Sequence, residues 1–213
     1  MINTVNVLDH LKCMKMEEWL NIIKTFVAVA VAAKGFREIN KWKKETKWKR
    51  QYELAEEVLS LFKEARDKLM FIRNPFIYPN EGQSREKDER ESSVQTKAYD
   101  RANIYYERYL KVSDVFNQLD TLRYRFTTVF GKGEKPFMDL KRLISEVLEA
   151  VQMLREHYWI YYSEEERKTY ETDTKKYEKV IRASMKDDIV QDKMNEIIKE
   201  VEQIVKPIMA RGK

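Results

Sequence analysis

The chain has 213 residues, of which 43% are hydrophobic and 36% charged, enough apolar material for a folded core and too much for a globally disordered chain. Its 5 glycines and 4 prolines fall far below the roughly 12% of average usage, which excludes the frequent turns of an all-β fold and leaves long helices. One cysteine, Cys13, excludes an intramolecular disulfide framework and fits a reducing compartment, and two histidines, His10 and His157, exclude most imidazole chemistry.

The net charge of +5 is concentrated in one place. Between Lys34 and Arg50 eight cations stand against two anions, so this segment alone carries +6. Lys41, Lys43, Lys44, Lys47, Lys49 and Arg50 alternate there with Trp42 and Trp48, a pattern that attracts phosphate on nucleic acid or lipid, or an acidic protein. Directly before it runs the most apolar stretch, Trp19 to Phe36, in which Asn21, Lys24 and Thr25 leave an uninterrupted core only from Phe26 to Ala33. So short a run favours a buried or partner-covered helix, whereas a basic cluster behind an apolar segment is the pattern of a membrane anchor with a cytoplasmic C-terminal domain. The late start of the run and the lack of a small-x-small site argue against a cleaved signal peptide.

Residues 51–213 read as a helical bundle. Ala55, Val58, Phe62, Ala65, Leu69 and Ile72 recur at alternating steps of three and four, a heptad seam that stops before Pro75. A helix unbroken from Glu17 to Arg73 would be about 85 Å long, so a bend or break is expected between Gly35 and Trp48. From about 75 to 97, Pro79, Gly82 and the run Arg85 to Glu91 predict an exposed, flexible loop with little to bury. A second seam follows through Ala102, Tyr105, Tyr109, Val112, Phe116, Leu119, Leu122 and Phe126, ending at Gly131. The third opens near Pro136 and runs through Phe137, Leu140, Ile144, Val147, Val151, Leu154, Tyr158 and Tyr161. Ser163 with Glu166 is a capping box for a polar helix reaching about Met185. The last seam comprises Val190, Met194, Ile197, Val201, Ile204 and Ile208, with Pro207 fraying its end. The fold class is therefore all-α, an antiparallel bundle of four to five long helices preceded by an apolar and basic helix.

Catalytic signatures are missing. Neither histidine follows a glutamate at the Glu-x-x-His spacing of di-iron bundles, Arg155 is too close to His157 for the Arg-His spacing of helical nucleases, and no phosphate loop, nucleophile elbow or cysteine cluster is present. The expectation is a non-enzyme with no cofactor, no metal and no small-molecule substrate. Adjacent tyrosines point about 100° apart on a helix, so Tyr106, Trp159 and Tyr162 are candidates for an interface rather than the core.

The segment containing Gly35, Trp42, Lys43, Glu45, Ala55, Glu56, Arg66, Asp67, Ile72, Arg73, Pro75 and Glu81 resembles uncharacterised bacterial all-helical proteins with a short N-terminal hydrophobic segment followed by a Trp-Lys basic stretch. The resemblance covers about a third of the chain and implies no activity. It does imply a hydrophobic segment acting as a membrane anchor, from which Lys24 and Lys34 here depart. The expected function is a helical interaction or adaptor subunit of a bacterial or phage assembly, docking through its basic segment or self-associating. The alternatives are a membrane-anchored or peripheral protein using residues 19–36 and a nucleic-acid binder, and the expected location is the cytoplasm or the inner face of the membrane.

Overall fold

The structure is a computed structural model and describes residues 16–131, 133–157, 175–184 and 186–210. Among these residues there is no strand. Helix α1 runs Met16–Ile72, α2 Ser93–Phe130, α3 Glu134–His157 and α4 Ile189–Met209, with a further helical stretch at 175–181. The chain divides into two compact units, Met1–Arg50 and Gln51–Lys213.

In the second unit, the end of α1 packs with α2, α3 and α4 around one apolar core, as the seams require. All six α1 seam residues are buried, and Phe62 is fully enclosed. Its ring meets Phe137 of α3 edge-on at a centroid distance of 5.0 Å, and Phe137 in turn lies 5.5 Å from Phe126 of α2. From α4 come Val190, Met194, Ile197 and Val201. A smaller cluster of Ala102, Tyr105, Ala150, Val151, Leu154 and Ile181 joins α2, α3 and the stretch 175–181. Val112, Ile144 and Ile204 are only half-buried, and Val115, Leu143 and Val205 occupy the core beside them. A strict heptad is narrower than the apolar face a globular helix buries, which accounts for these added positions.

The helix ends follow local chemistry. Ser92 caps α2 in a reciprocal capping box with Gln95, and Gly131 closes the same helix in the left-handed conformation (φ 73°), returning its N–H to the Thr127 carbonyl. Pro136 falls in the first turn of α3, two residues later than a start at that proline would give. Pro207 lies within α4 rather than beyond it, near an end where few backbone bonds are lost.

Three expectations need correction. α1 is helical without interruption through Gly35 and Trp48, so of the expected bend or break there is no break. The polar helix does not reach Met185: residues 182–184 are non-helical, and its capping box at Ser163 and Glu166 lies outside the described residues.

The third correction concerns the segment after α1, where charge replaces apolar anchoring. Arg108 of α2, fully buried, donates to the backbone carbonyls of Asn74 and Phe76 (2.6 Å to the latter) and forms a two-pronged pair with Glu81 at 2.7 and 2.8 Å. Glu107 and Asn103 hold Gly82 through its N–H and carbonyl. Arg85 grips Glu91 and Asp100 at 2.6 and 2.7 Å. The run of charges at 85–91 is thus partly a set of internal ion pairs, and helix α2 begins at Ser93, inside the span assigned to the loop.

Candidate functional site

Residues 16–50 of α1 form a helix whose side chains are almost all exposed among the described residues. The alanines and long side chains of this stretch favour helix, and Gly35 is tolerated inside it with open space where a Cβ would sit. Phe26 is 73% exposed, Val31 65% and Phe36 69%. None of the most apolar 18-residue window is buried among the described residues. At 100° per residue, Phe26, Val27, Val29, Val31 and Phe36 distribute around the helix rather than along one stripe. Thr25 donates its hydroxyl to the Asn21 carbonyl at 2.8 Å, which satisfies a polar group that apolar surroundings would otherwise penalise.

The predicted phosphate- or partner-binding residues follow on the same helix. Lys41, Lys43, Lys44, Lys47, Lys49 and Arg50 are all exposed, as is Trp42, while Trp48 is half-buried. Lys41 pairs loosely with Glu45 at 3.9 Å, both side chains largely in solvent, a contact worth little in water. Lys34, Arg37, Lys41 and Lys44 lie on one face at steps of three, four and three, and Lys43, Lys47 and Arg50 line a second face more than a right angle away. The charge encircles the helix.

Of the candidate interface residues, Tyr106 is 54% exposed, and Trp159 and Tyr162 lie outside the described residues. Tyr106 borders a cavity of about 630 Å³ shared by the 85–91 segment, α2 and α3. At its edge the guanidinium groups of Arg85 and Arg155 both lie over the Tyr99 ring, 5.3 and 4.9 Å from its centroid. Arg85 is already neutralised by two carboxylates, so the cavity's charge is largely internally compensated. Its partner Glu91 is drawn down to about 2 by the Arg85 hydrogen bond. Among the described residues no three metal-ligating side chains converge.

Sequence reasoning missed the buried arginines. Arg73 and Arg108 are both fully enclosed, and the only signal was that each interrupts a region otherwise read for its apolar residues. Comparison with family models, with curated proteins and with solved structures returns no match.

Proposed function

We propose that the chain is a membrane-anchored helical protein in which residues 19–36 cross the bilayer and the bundle serves as a non-catalytic interaction module. The observation behind this reading is that the apolar window is exposed on every side of its helix. A helix apolar all round is suited to a protein core or to lipid, and none of this window is buried among the described residues. An interfacial helix lying flat would instead separate apolar and polar faces.

Dimensions and charge agree. Eighteen residues at 1.5 Å per residue span about 27 Å, close to the roughly 30 Å hydrocarbon layer. Lys24 lies about 7.5 Å from Trp19, within reach of the interface by snorkelling. The basic cluster follows the window, so the positive-inside rule places residues 37–213 on the cytoplasmic side. The exposed Tyr106 marks the bundle surface offered to a partner.

A soluble adaptor or nucleic-acid binder draws support from the alternation of Trp42 and Trp48 with lysines, but it requires a protein partner to cover the apolar window. Alkaline carbonate extraction of cell membranes separates the readings. The intact chain should stay in the pellet, and the double variant Val29→Asp, Val31→Asp should move to the supernatant. Release of the unmodified chain would overturn the anchor.

A further inference from the structure

We infer that the basic continuation of the anchor is a docking surface for anionic phospholipid headgroups, and that only its membrane-proximal half takes part. This rests on the proposed anchor and adds a partner and a boundary. The first observation is angular. Viewed down α1, Lys34, Arg37, Lys41, Lys43 and Lys44 cover one broad half of the circumference, and Lys49 and Arg50 fill the other half further along.

The second observation is axial. With Phe36 at the edge of the hydrocarbon, Lys41, Lys43 and Lys44 lie about 7.5, 10.5 and 12 Å further along the helix, and Lys47, Lys49 and Arg50 about 16.5, 19.5 and 21 Å. The headgroup layer is roughly 5 to 8 Å thick on each side, and its negative potential decays over a Debye length of about 8 to 10 Å. Arg37 and Lys41 therefore sit in the layer, Lys34 reaches it by snorkelling from about 3 Å within the hydrocarbon, Lys43 and Lys44 lie within one Debye length of it, and the last three at or beyond that distance. Their exposure leaves them accessible, and the Lys41–Glu45 pair at 3.9 Å is loose enough to yield to a phosphate.

The test presents the full chain to neutral phosphatidylcholine vesicles and to vesicles containing a third phosphatidylglycerol, followed by flotation at low and high salt. The unmodified chain should float with both and prefer the anionic vesicles, the preference shrinking with salt. The triple variant Lys41→Gln, Lys43→Gln, Lys44→Gln should reduce that preference by about tenfold or more, whereas Lys47→Gln, Lys49→Gln, Arg50→Gln should change it less than about threefold. Equal flotation with both vesicle types would overturn the headgroup inference and leave the anchor standing. Flotation with neither would overturn both. Equal losses from the two triple variants, accompanied by equal losses in affinity for a random DNA duplex, would assign the segment to nucleic acid instead.

Discussion

Arg73, just past the end of α1, and Asp188, the cap of α4, meet in a two-pronged ion pair with nitrogen–oxygen distances of 2.9 and 3.1 Å across 115 positions of sequence. Both side chains are buried. The same guanidinium donates to the Val180 and Arg182 carbonyls at 2.7 and 3.2 Å, and the Arg73 carbonyl accepts from the Ala183 N–H. One residue thereby satisfies the orphan carbonyls that end the stretch 175–181 and orients the carboxylate that caps α4 through Val190 and Gln191.

Removing this arginine leaves a buried carboxylate and several carbonyls without partners. Arg73→Met should lower stability by about 3 to 5 kcal/mol, read from urea midpoints. Arg73→Met combined with Asp188→Asn should cost clearly less than the sum of the two single changes; strict additivity would show that the pair is not energetically coupled.

Phe62 tests the core against the exposed part of α1. Phe62→Ala should cost about 3 to 5 kcal/mol, since its cavity would open between α1 and the Phe137 ring. Phe36→Ala, at a site 69% exposed, should leave the unfolding midpoint of the bundle unchanged. Comparable losses at both positions would contradict the assignment of burial.

The segment after α1 should be protected from hydrogen exchange at Gly82, whose N–H is held by Glu107 at 3.3 Å. Gly82 has φ 84°, and a Cβ there would overlap the Asp100 carbonyl and the Ile104 side chain. Gly82→Ala should therefore release the segment and speed exchange there by at least tenfold, as should Arg108→Gln. Rapid exchange at Gly82 in the unmodified chain would show that the ion pairs do not anchor it.

Acid should loosen the same region. Hydrogen bonds from Arg108 hold the Glu81 carboxyl below its ordinary range, and Arg85 holds Glu91 at about 2. Burial pushes Asp188 up, but Arg73 and the Ser184 and Gln191 N–H groups together outweigh it and leave the carboxyl lowered. A carboxylate with a lower pKa in the folded chain stabilises the fold above its unfolded value and loses that contribution as pH falls through the folded one. For Glu91 the window runs from 4.5 down to about 2. The urea midpoint should fall across it, and less steeply in Glu91→Gln; identical slopes would remove Glu91 as a contributor.

The helices were legible because their signal is periodic. Ala55 to Ile72 could be read as a buried face from spacing alone, and every one of those seam residues is buried. Tyr105 and Tyr106 separate as their 100° offset requires, the first enclosed and the second exposed. The order after α1 was illegible for the opposite reason. Arg85, Glu91 and Asp100, or Glu81 and Arg108, are stabilised by partners at irregular separations, and a charged residue that will be paired looks in sequence like one that will be solvated. The basic residues of α1 were visible as a cluster, but nothing in the spacing of Phe26 to Ala33 tells what covers that stretch.

The span between Arg73 and Asp188 also sets an order of events during synthesis. At roughly 5 to 20 residues per second, about 6 to 23 seconds separate the two residues as they leave the peptidyl-transferase centre. For most of that interval the arginine has neither its carboxylate nor its carbonyl acceptors, which follow 107 to 115 positions later, whereas Arg108 can find Glu81 as soon as α2 emerges. The growing chain passes through a stage in which the first helical pair is pinned by its local ion pairs while Arg73 stays hydrated, and burial of that guanidinium marks the arrival of the last helix.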